Sequence, residues 1–462
     1  MKSRLKSLLG LALASLALAA GAQSPPPAPN PAPPAQAQPG EQAQPTPPPT
    51  VSASARRLYE RSKGQLLQIR TLLKTQDSQA SVGSGFIVSD DGHIVTNYHV
   101  VSQFALEPNV YRLRYATTDG QSGALELLEF DARRDLALLR AVDDGKGSGL
   151  KGRGALAFRP QSQPLAKGER IYSMGNPHDV AFAVVEGNYN GLVDRSFDPL
   201  IYYAGGINPG MSGGPVLDED GRVVGVNVST LLFSQQVSFL VPGEFAENLV
   251  KRSLDAKPIR SAAWGRLRDQ LTRYQDELVT RFLAAPWESA NNDRYRLPVP
   301  KQEFMRCWGS GTSADTKGLD FERSQCRMDH ALFVSGNLQT GWLDMSHEAY
   351  DGSKLGALRF ARQYSGSFRN ERLGAADKSR TAPYCKEQFV DRDGLPLRAV
   401  VCLRAYRKLD GLHDLSVLVT TVDSSTQGAL GRFDARGVSF DNALKLAAHY
   451  LEGFAWTNSK AK

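Results

Sequence analysis

The sequence predicts a mostly β domain followed by an α+β region of unrecognised fold. Between Ser81 and Val241 the chain consists of short runs of β-branched and aromatic residues, separated by turns that contain Gly, Asp and Asn. Many short strands at this spacing are typical of a β-sandwich or a β-barrel. After residue 286 helix and strand patterns mix, and all four cysteines of the chain lie in this part.

Residues 1–22 have the pattern of an export signal, a signal peptide. Three basic residues precede the apolar run 8–20 and small residues follow it, so cleavage is expected before Gln23. The alternative is a membrane anchor, but the apolar run is shorter than the roughly 20 residues that a span requires. We therefore expect an exported chain, periplasmic or secreted, with no membrane span after signal cleavage.

Composition limits the function classes. Residues 23–52 are rich in Pro, Ala and Gln, a composition that buries no core and predicts a disordered linker. The formal net charge of +7 is partly due to three basic residues in the signal. The remaining charge is spread along the chain without a motif that reads bases, so nucleic acid is not an expected partner.

After the linker the chain divides into three parts. Residues 53–257 form the predicted β domain, which ends in a helix. In residues 258–285 large apolar residues recur at helical spacing, which predicts an amphipathic linker helix with one apolar face packed on a core. They are Trp264, Leu267, Leu271, Leu278 and Phe282. Residues 286–462 form the predicted C-terminal α+β domain, with a hairpin that turns at Asp410-Gly411.

The four cysteines predict disulfides, because their number is even and the chain carries an export signal. Three pairings are possible, and the local one joins Cys307 to Cys326 and Cys385 to Cys402. We favour the local pairing, in which each short loop adds about 3 kcal/mol of stability in the chain-entropy description. A zinc site is the rival interpretation, but the CxxC pairs typical of such sites are missing. We expect neither a metal nor another cofactor.

The strongest motif is the segment NPGMSGGP, from Asn208 to Pro215. A serine between glycines on a tight turn presents its hydroxyl beside backbone N–H groups, here those of Gly210 and Ser212. Such donors form an oxyanion hole for a tetrahedral intermediate, and losing one lowers the rate about 10²–10³-fold. Ser212 is therefore a candidate nucleophile, although a glycine-rich structural turn would have a similar sequence.

A serine hydroxyl is a weak nucleophile and needs a base. His99 offers one within the apolar run 94–101, which we interpret as a strand. Asp135 begins the apolar strand 135–139 and is the candidate carboxylate that orients the imidazole. Three other carboxylates lie in turns and lack this pattern: Asp131, Asp143 and Asp144. The order His99, Asp135, Ser212 is that of chymotrypsin-type enzymes, not of subtilisin or the α/β-hydrolases.

Residues from about 65 to 250 resemble the protease domain of the HtrA/Deg-type, trypsin-like periplasmic serine proteases. The matching segments are GSGFIVSDDGHIVTNYHVV, DLALLR, SMGNP, VVEGNYNGLV, INPGMSGGPV, GRVVGVN and VSFLVP. The resemblance implies a chymotrypsin-like fold of two six-stranded β-barrels, with the active site between them. It implies that His99 is the general base, Asp135 its orienting carboxylate and Ser212 the nucleophile. It also places the oxyanion hole at the amides of Gly210 and Ser212.

The chain departs from this family at two positions and in its C-terminal part. Met211 stands where Asn is usual, and Ala204 stands where an acidic residue is common. Neither change removes a triad residue, but Met211 alters the expected wall beside the oxyanion loop. No convincing PDZ domain follows residue 256, so the oligomerisation and chaperone behaviour of the family are not carried over.

The substrate pocket is expected from Gly206 and from the segment Val226-Asn227-Val228 after the nucleophile. Gly206 is not the acidic residue that would select Lys or Arg, and the valines favour a small apolar pocket. We therefore expect cleavage after small or medium aliphatic residues.

The predicted function is that of an exported serine endopeptidase that acts through an acyl-enzyme without a cofactor. The expected partners are polypeptide substrates such as misfolded periplasmic proteins, and no oligomeric state is predicted. One alternative is a binding or chaperone module that keeps the fold but turns over little. Another is a protease whose cleft is gated by residues 286–462.

Overall fold

The computed structural model describes residues 52–143, 149–230, 237–291, 294–313, 315, 317–369 and 373–457. The predicted signal peptide, residues 1–22, and nearly all of the predicted linker, residues 23–52, lie outside these ranges. The chain from residue 51 onward forms a single compact unit. Within the described ranges, no helix is both long and apolar enough to cross a membrane.

The first barrel is closed by six antiparallel strands and follows a short helix, α1 (Ala53–Ser62). The Ser52 hydroxyl accepts the Ala55 N–H at 3.0 Å and so caps α1. The strands are β1 (Leu66–Leu73), β2 (Gln79–Ile87), β3 (His93–Thr96), β4 (Tyr111–Thr117), β5 (Ser122–Asp131) and β6 (Leu136–Ala141). They pair in the order β1-β2-β3-β6-β5-β4, and helix α2 (Tyr98–Leu106) lies between β3 and β4 in sequence.

The second barrel repeats this architecture. Its strands are β7 (Arg170–Gly175), β8 (Ala183–Leu192), β9 (Ile201–Ala204), β10 (Pro215–Leu217), β11 (Val223–Thr230) and β12 (Ser238–Pro242). They close in the order β10-β11-β12-β9-β8-β7, and helix α3 (Gly243–Ser253) follows. Two closed six-stranded barrels are the architecture that the resemblance implies, so the predicted chymotrypsin-like fold is confirmed.

The C-terminal region is α+β, as predicted, and begins with helix α4 (Trp264–Ala284). Its strands are β13 (Glu288–Asn291), β14 (Tyr295–Val299), β15 (Arg306–Gly311), β16 (Asp320–Arg327), β17 (Leu332–Ser335), β18 (Leu338–Thr340), β19 (Leu343–Asp351), β20 (Tyr384–Arg392), β21 (Leu395–Ala405), β22 (Leu412–Thr421), β23 (Gln427–Ser439) and β24 (Ala455–Trp456). The other helices are α5 (Ala357–Ser367) and α6 (Phe440–Glu452). A seven-stranded antiparallel sheet, β15-β16-β19-β23-β22-β21-β20, dominates this region.

Two disulfides join the outer strands of this sheet to their neighbours. Cys307 on β15 is bonded to Cys326 on β16, and Cys385 on β20 is bonded to Cys402 on β21. This is the local pairing that the sequence favours. Because all four cysteines are bonded to one another, they are not ligands of a zinc ion.

The hydrophobic cores of the two barrels differ in extent. Residues of the first barrel, such as Leu67 and Leu139, share one continuous core with α4 and the seven-stranded sheet. The second barrel has a separate core that includes Ile171 and Val216. A third core joins both barrels to α1 and α3.

The helix predicted over residues 258–285, with one apolar face packed on a core, does pack that face into the core shared with the first barrel. The chain that leads into it is tied to the first barrel, since Ile259 N–H donates to the Leu127 carbonyl at 2.8 Å. An apolar stripe at helical spacing has the same sequence pattern in a linker helix and in a core helix. The pattern consequently predicts a buried face but not which segments of the chain cover it.

Candidate active site

His99 lies in the first turn of α2 and not in a strand. Strand β3 ends at Thr96, and the helix begins two residues later. This corrects the strand that we predicted over residues 94–101. Val100 and Val101 lie in this helix and are fully buried. A short apolar run fits a buried helix as well as a strand, which is why the pattern was ambiguous.

Asp135 holds the N-terminal end of α2 with its carboxylate and with its carbonyl. Oδ1 accepts the backbone N–H of His99 at 2.8 Å, and Oδ2 lies 2.5 Å from Nδ1 of the same residue. The Asp135 carbonyl accepts the Tyr98 N–H at 3.2 Å and the Asn97 side-chain amide at 2.7 Å. Asp135 has a φ of 54°, a left-handed conformation that Asp tolerates better than most residues. One residue thus orients both the helix and the imidazole.

The contact with Asp135 also governs the charge of His99. Burial by itself lowers the pKa of His99, but the charge and hydrogen bond of Asp135 outweigh it, so the pKa is raised. Because a carboxylate only accepts, Nδ1 carries the donated hydrogen and Nε2 of the neutral ring is left to take a proton. Of the alternative carboxylates, Asp131 pairs with Arg134, and Asp144 lies outside the described residues.

Ser212 lies in the turn between β9 and β10, and this turn packs against the start of α2. A Cβ on Gly213 would lie 2.9 Å from the backbone nitrogen of Asn97. The Ser212 hydroxyl donates to the Val228 carbonyl at 3.4 Å, and within the described residues no hydrogen bond joins it to His99. Rotation of the serine side chain is therefore needed to engage the base, and such bonds often form only when substrate binds.

The candidate oxyanion hole is formed by a turn with a left-handed glycine. Gly210 has a φ of 96°, and a Cβ there would clash with the Asn176 carbonyl oxygen. The Pro209 carbonyl accepts the His178 N–H at 2.7 Å, which directs the Gly210 N–H to the opposite side of the same planar peptide. Neither this amide nor that of Ser212 donates a hydrogen bond to any described residue. Both amides remain available to an anionic oxygen.

Ser84 on β2 supports this turn, and our sequence reasoning missed it. Its hydroxyl donates to the Gly210 carbonyl at 2.7 Å and accepts the Asn176 N–H at 2.9 Å. Its backbone N–H donates to the Ser212 carbonyl at 2.7 Å. A Cβ on Gly83 would lie 2.9 Å from that carbonyl oxygen, so the strand and the turn approach closely. The Gly-Ser-Gly sequence of β2 was the available signal.

The predicted pocket requires a correction, because two of its residues are fully buried. Val226 belongs to the core between the barrels. The Asn227 side-chain amide donates to the carbonyls of Met174 and Met211 at 3.0 and 3.2 Å, so it supports the turn that carries Ser212. Consecutive residues of a strand point to opposite faces. Both faces are covered here, so neither side chain is available to substrate.

The remaining pocket residues stay accessible. A Cβ on Gly206 would meet no atom within 4 Å, and Val228 is half-buried. Met211 is fully buried in the core of the second barrel. From the sequence we expected Met211 to change the wall beside the oxyanion loop. Because its side chain is buried, it forms no exposed part of that wall.

Residues 83–226 match the trypsin-like peptidase domain family. This segment contains His99, Asp135 and Ser212, and it lies within the two closed barrels. Fold and match together define a trypsin-like peptidase domain.

Among curated proteins, the chain is similar to the serine protease HTRA1 of Xenopus laevis, at 32% identity over 189 residues, which is 39% of this chain and 38% of that protein. It is also similar to a probable periplasmic serine endoprotease, DegP-like, of Marinomonas sp. (strain MWYL1), at 32% identity over 196 residues, covering 41% of this chain and 39% of the relative. A solved serine endoprotease from Yersinia pestis matches 44% of this chain and 67% of its own, at 20% identity and a TM-score of 0.36. The chain thus spans well under half the length of these two relatives.

Proposed function

We propose that this chain is a serine endopeptidase in which Ser212 is the nucleophile, His99 the general base and Asp135 the orienting carboxylate. The observation that carries the proposal is the double hydrogen bond of Asp135 to His99, to Nδ1 and to the backbone N–H. This arrangement leaves Nε2 as the basic atom, and the turn that carries Ser212 offers two amides that have no acceptor among the described residues.

The proposed reaction begins when the Ser212 hydroxyl leaves the Val228 carbonyl and turns toward His99. Its oxygen attacks the peptide carbonyl carbon while its proton passes to Nε2, and Asp135 stabilises the imidazolium. The amides of Gly210 and Ser212 bind the oxyanion. The C–N bond then breaks, the imidazolium protonates the leaving amine, and water hydrolyses the acyl-enzyme with the same base.

The substrates we propose are polypeptides met after export, such as misfolded proteins. The export signal in the sequence and the printed description of the Marinomonas relative as periplasmic support this location. Gly206 and Val228 are the pocket residues that remain accessible, and they favour small or medium aliphatic side chains. Equal or faster cleavage after Arg in a peptide library would contradict this preference.

A fluorophosphonate probe tests the proposal without knowledge of the substrate. Wild type should be labelled and should cleave casein, and Ser212→Ala should lose both, since loss of a triad residue lowers turnover on the order of 10⁶-fold. If wild type is as inactive as Ser212→Ala under several conditions, the proposal fails and the binding-module interpretation is favoured.

A second candidate function is a protease whose cleft is regulated by the C-terminal region. Strand β17 packs on α2: the Phe333 ring lies edge-on to the His99 ring at 6.0 Å, and the Tyr98 hydroxyl donates to the Val334 carbonyl at 3.1 Å. If this contact gates the cleft, Phe333→Ala should change casein cleavage more than probe labelling. Phe389→Ala, at an exposed position on β20, is the control.

Point variants are better suited to this test than a chain that ends near residue 257. Such a truncation would remove α4 and expose the core that the first barrel shares with it. If Phe333→Ala and Phe389→Ala have the same effect on both reactions, the Phe333 contact does not regulate the cleft.

A further inference from the structure

One face of α4 contacts the segment that leads to Asp135. The Gln270 side chain accepts the Ala132 N–H at 2.7 Å with Oε1 and donates to the Phe130 carbonyl at 2.9 Å with Nε2. An adjacent strand would bond the backbone in the same way. The amide therefore continues the hydrogen bonding where β5 ends and the chain leaves the sheet.

Arg133 lies next to the residues that Gln270 bonds. It joins its own segment to the connection from β8 to β9 and to α4. Its Nε donates to both carboxylate oxygens of Asp198, each at 2.8 Å, in the connection from β8 to β9. Its Nη1 and Nη2 donate to Glu277 on α4 at 2.6 and 3.2 Å. The guanidinium also lies over the Tyr274 ring, 5.3 Å from its centroid. A planar guanidinium bonded to carboxylates on two different elements holds its own backbone in one position.

We propose that Gln270 and Glu277 are positioning residues that set the geometry of Asp135 and, through it, of His99. The proposal rests on the proposed function, because it concerns the same base. The two residues are seven positions apart and so lie on one face of α4. Gln270 bonds the backbone of Phe130 and Ala132, and Glu277 bonds the Arg133 side chain, so both act on the segment that leads to Asp135.

The conformation of Asp135 explains why such support is needed. Its φ of 54° is sparsely populated by residues other than glycine, and such conformations persist only where neighbours determine them. If the preceding segment relaxes, the carboxylate loses its two bonds to His99. Part of the catalytic geometry would then depend on a helix outside both barrels.

The test uses the full-length chain with Gln270→Ala and Glu277→Gln. Thr280→Ala is the matched control, since Thr280 is exposed on the same helix. The measurement is the second-order rate constant of a small fluorophosphonate as a function of pH, with thermal unfolding to verify the fold. We expect a plateau lower by roughly 10- to 10²-fold in the first two variants, the usual effect of misplaced groups.

The acidic limb of the pH profile separates positioning from a structural role. The charged group that raises the pKa of His99 is Asp135, while β17 contributes the apolar Phe333 ring. If Asp135 moves away, the pKa of His99 falls and the acidic limb shifts to lower pH. Gln270→Glu keeps the acceptor for the Ala132 N–H and should give an intermediate rate.

The proposal is overturned if Gln270→Ala and Glu277→Gln match Thr280→Ala in both rate and acidic limb. It is also overturned if the loss of rate equals the unfolded fraction of each variant. If wild type itself does not react, the proposed function fails, and the pKa of His99 measured by NMR decides instead. A lower pKa in Gln270→Ala then supports positioning, and an unchanged pKa refutes it.

Discussion

The two barrels hold their parts of the candidate site in different ways. The first barrel carries His99 and Asp135, and its core continues into α4 and the seven-stranded sheet. The second barrel carries Ser212 and packs around a core of its own. This difference indicates that the positions of His99 and Asp135 depend on the C-terminal region. The nucleophile turn depends instead on contacts between the barrels, chiefly through Ser84.

The two halves also differ in how far they are assembled. The His99–Asp135 pair already has its two hydrogen bonds. The Ser212 hydroxyl is bonded to the Val228 carbonyl and not to His99, within the described residues. In the proposed reaction the first barrel is therefore preorganised, and the adjustment on substrate binding falls on the second.

Asp135→Asn should have the largest effect on the preorganised half. An amide in place of the carboxylate stabilises the wrong imidazole tautomer, and the equivalent change in a Ser-His-Asp triad lowers kcat about 10⁴-fold. The pKa of His99 should fall, because Asp135 raises it, and the acidic limb of the rate profile should move to lower pH. Peptide hydrolysis across pH measures both, with Asp90→Asn in an exposed turn as control. An unmoved limb would contradict the assignment of Asp135.

Gly210→Ala tests the second barrel by the same measure, the fold-change in kcat. The added Cβ would clash with the Asn176 carbonyl at a φ of 96°, so the turn must move and displace its amides. Loss of an oxyanion donor lowers kcat about 10²–10³-fold. Gly64→Ala is the control, because no atom lies within 4 Å of its Cβ position. A kcat equal to that of the control would show that the Gly210 amide is not used.

Leu271→Ala sharpens the comparison of the cores. Leu271 on α4 is buried in the core that the first barrel shares, and Ile171 is buried in the second barrel. Each truncation should lower the free energy of unfolding by about 2–5 kcal/mol. Native-state hydrogen exchange should show that Leu271→Ala weakens α2 and the C-terminal sheet together, whereas Ile171→Ala weakens β7. If hydrogen exchange in α2 is the same in Leu271→Ala as in wild type, the shared core does not unfold cooperatively.

The smallest expected effect concerns the pH stability of the C-terminal region. Burial lowers the pKa of His347 to about 3, and its Nε2 lies 3.1 Å from the Tyr450 hydroxyl. In the unfolded chain His347 takes up a proton near pH 6.5, whereas in the folded chain it stays neutral. The free energy of unfolding therefore falls as the pH drops below about 6.5. At pH 5 this amounts to about 2 kcal/mol. Urea unfolding at pH 7 and pH 5 measures the loss, and His347→Gln should show less of it.

Local signals predicted much of the candidate site. A glycine-flanked serine and a carboxylate before an apolar strand are recognisable because they combine a polar group with a neighbouring burial pattern. The supporting residues carry no such signal. Gln270 bonds to backbone atoms of Phe130 and Ala132, which lie far away in sequence. In the sequence, Gln270 cannot be distinguished from any other Gln or Asn on a helix.

What the sequence by itself determined are features that depend on neighbours along the chain. They include most of the strands with their turns, the hairpin at Asp410-Gly411 and the helical stripe of α4. Only the tertiary structure decided which surfaces meet. It buried Val226 and Asn227, made α4 part of the core of the first barrel, and turned the Ser212 hydroxyl to Val228. The physical reason is that a periodic pattern specifies an apolar face, whereas the partner of that face depends on packing between distant segments.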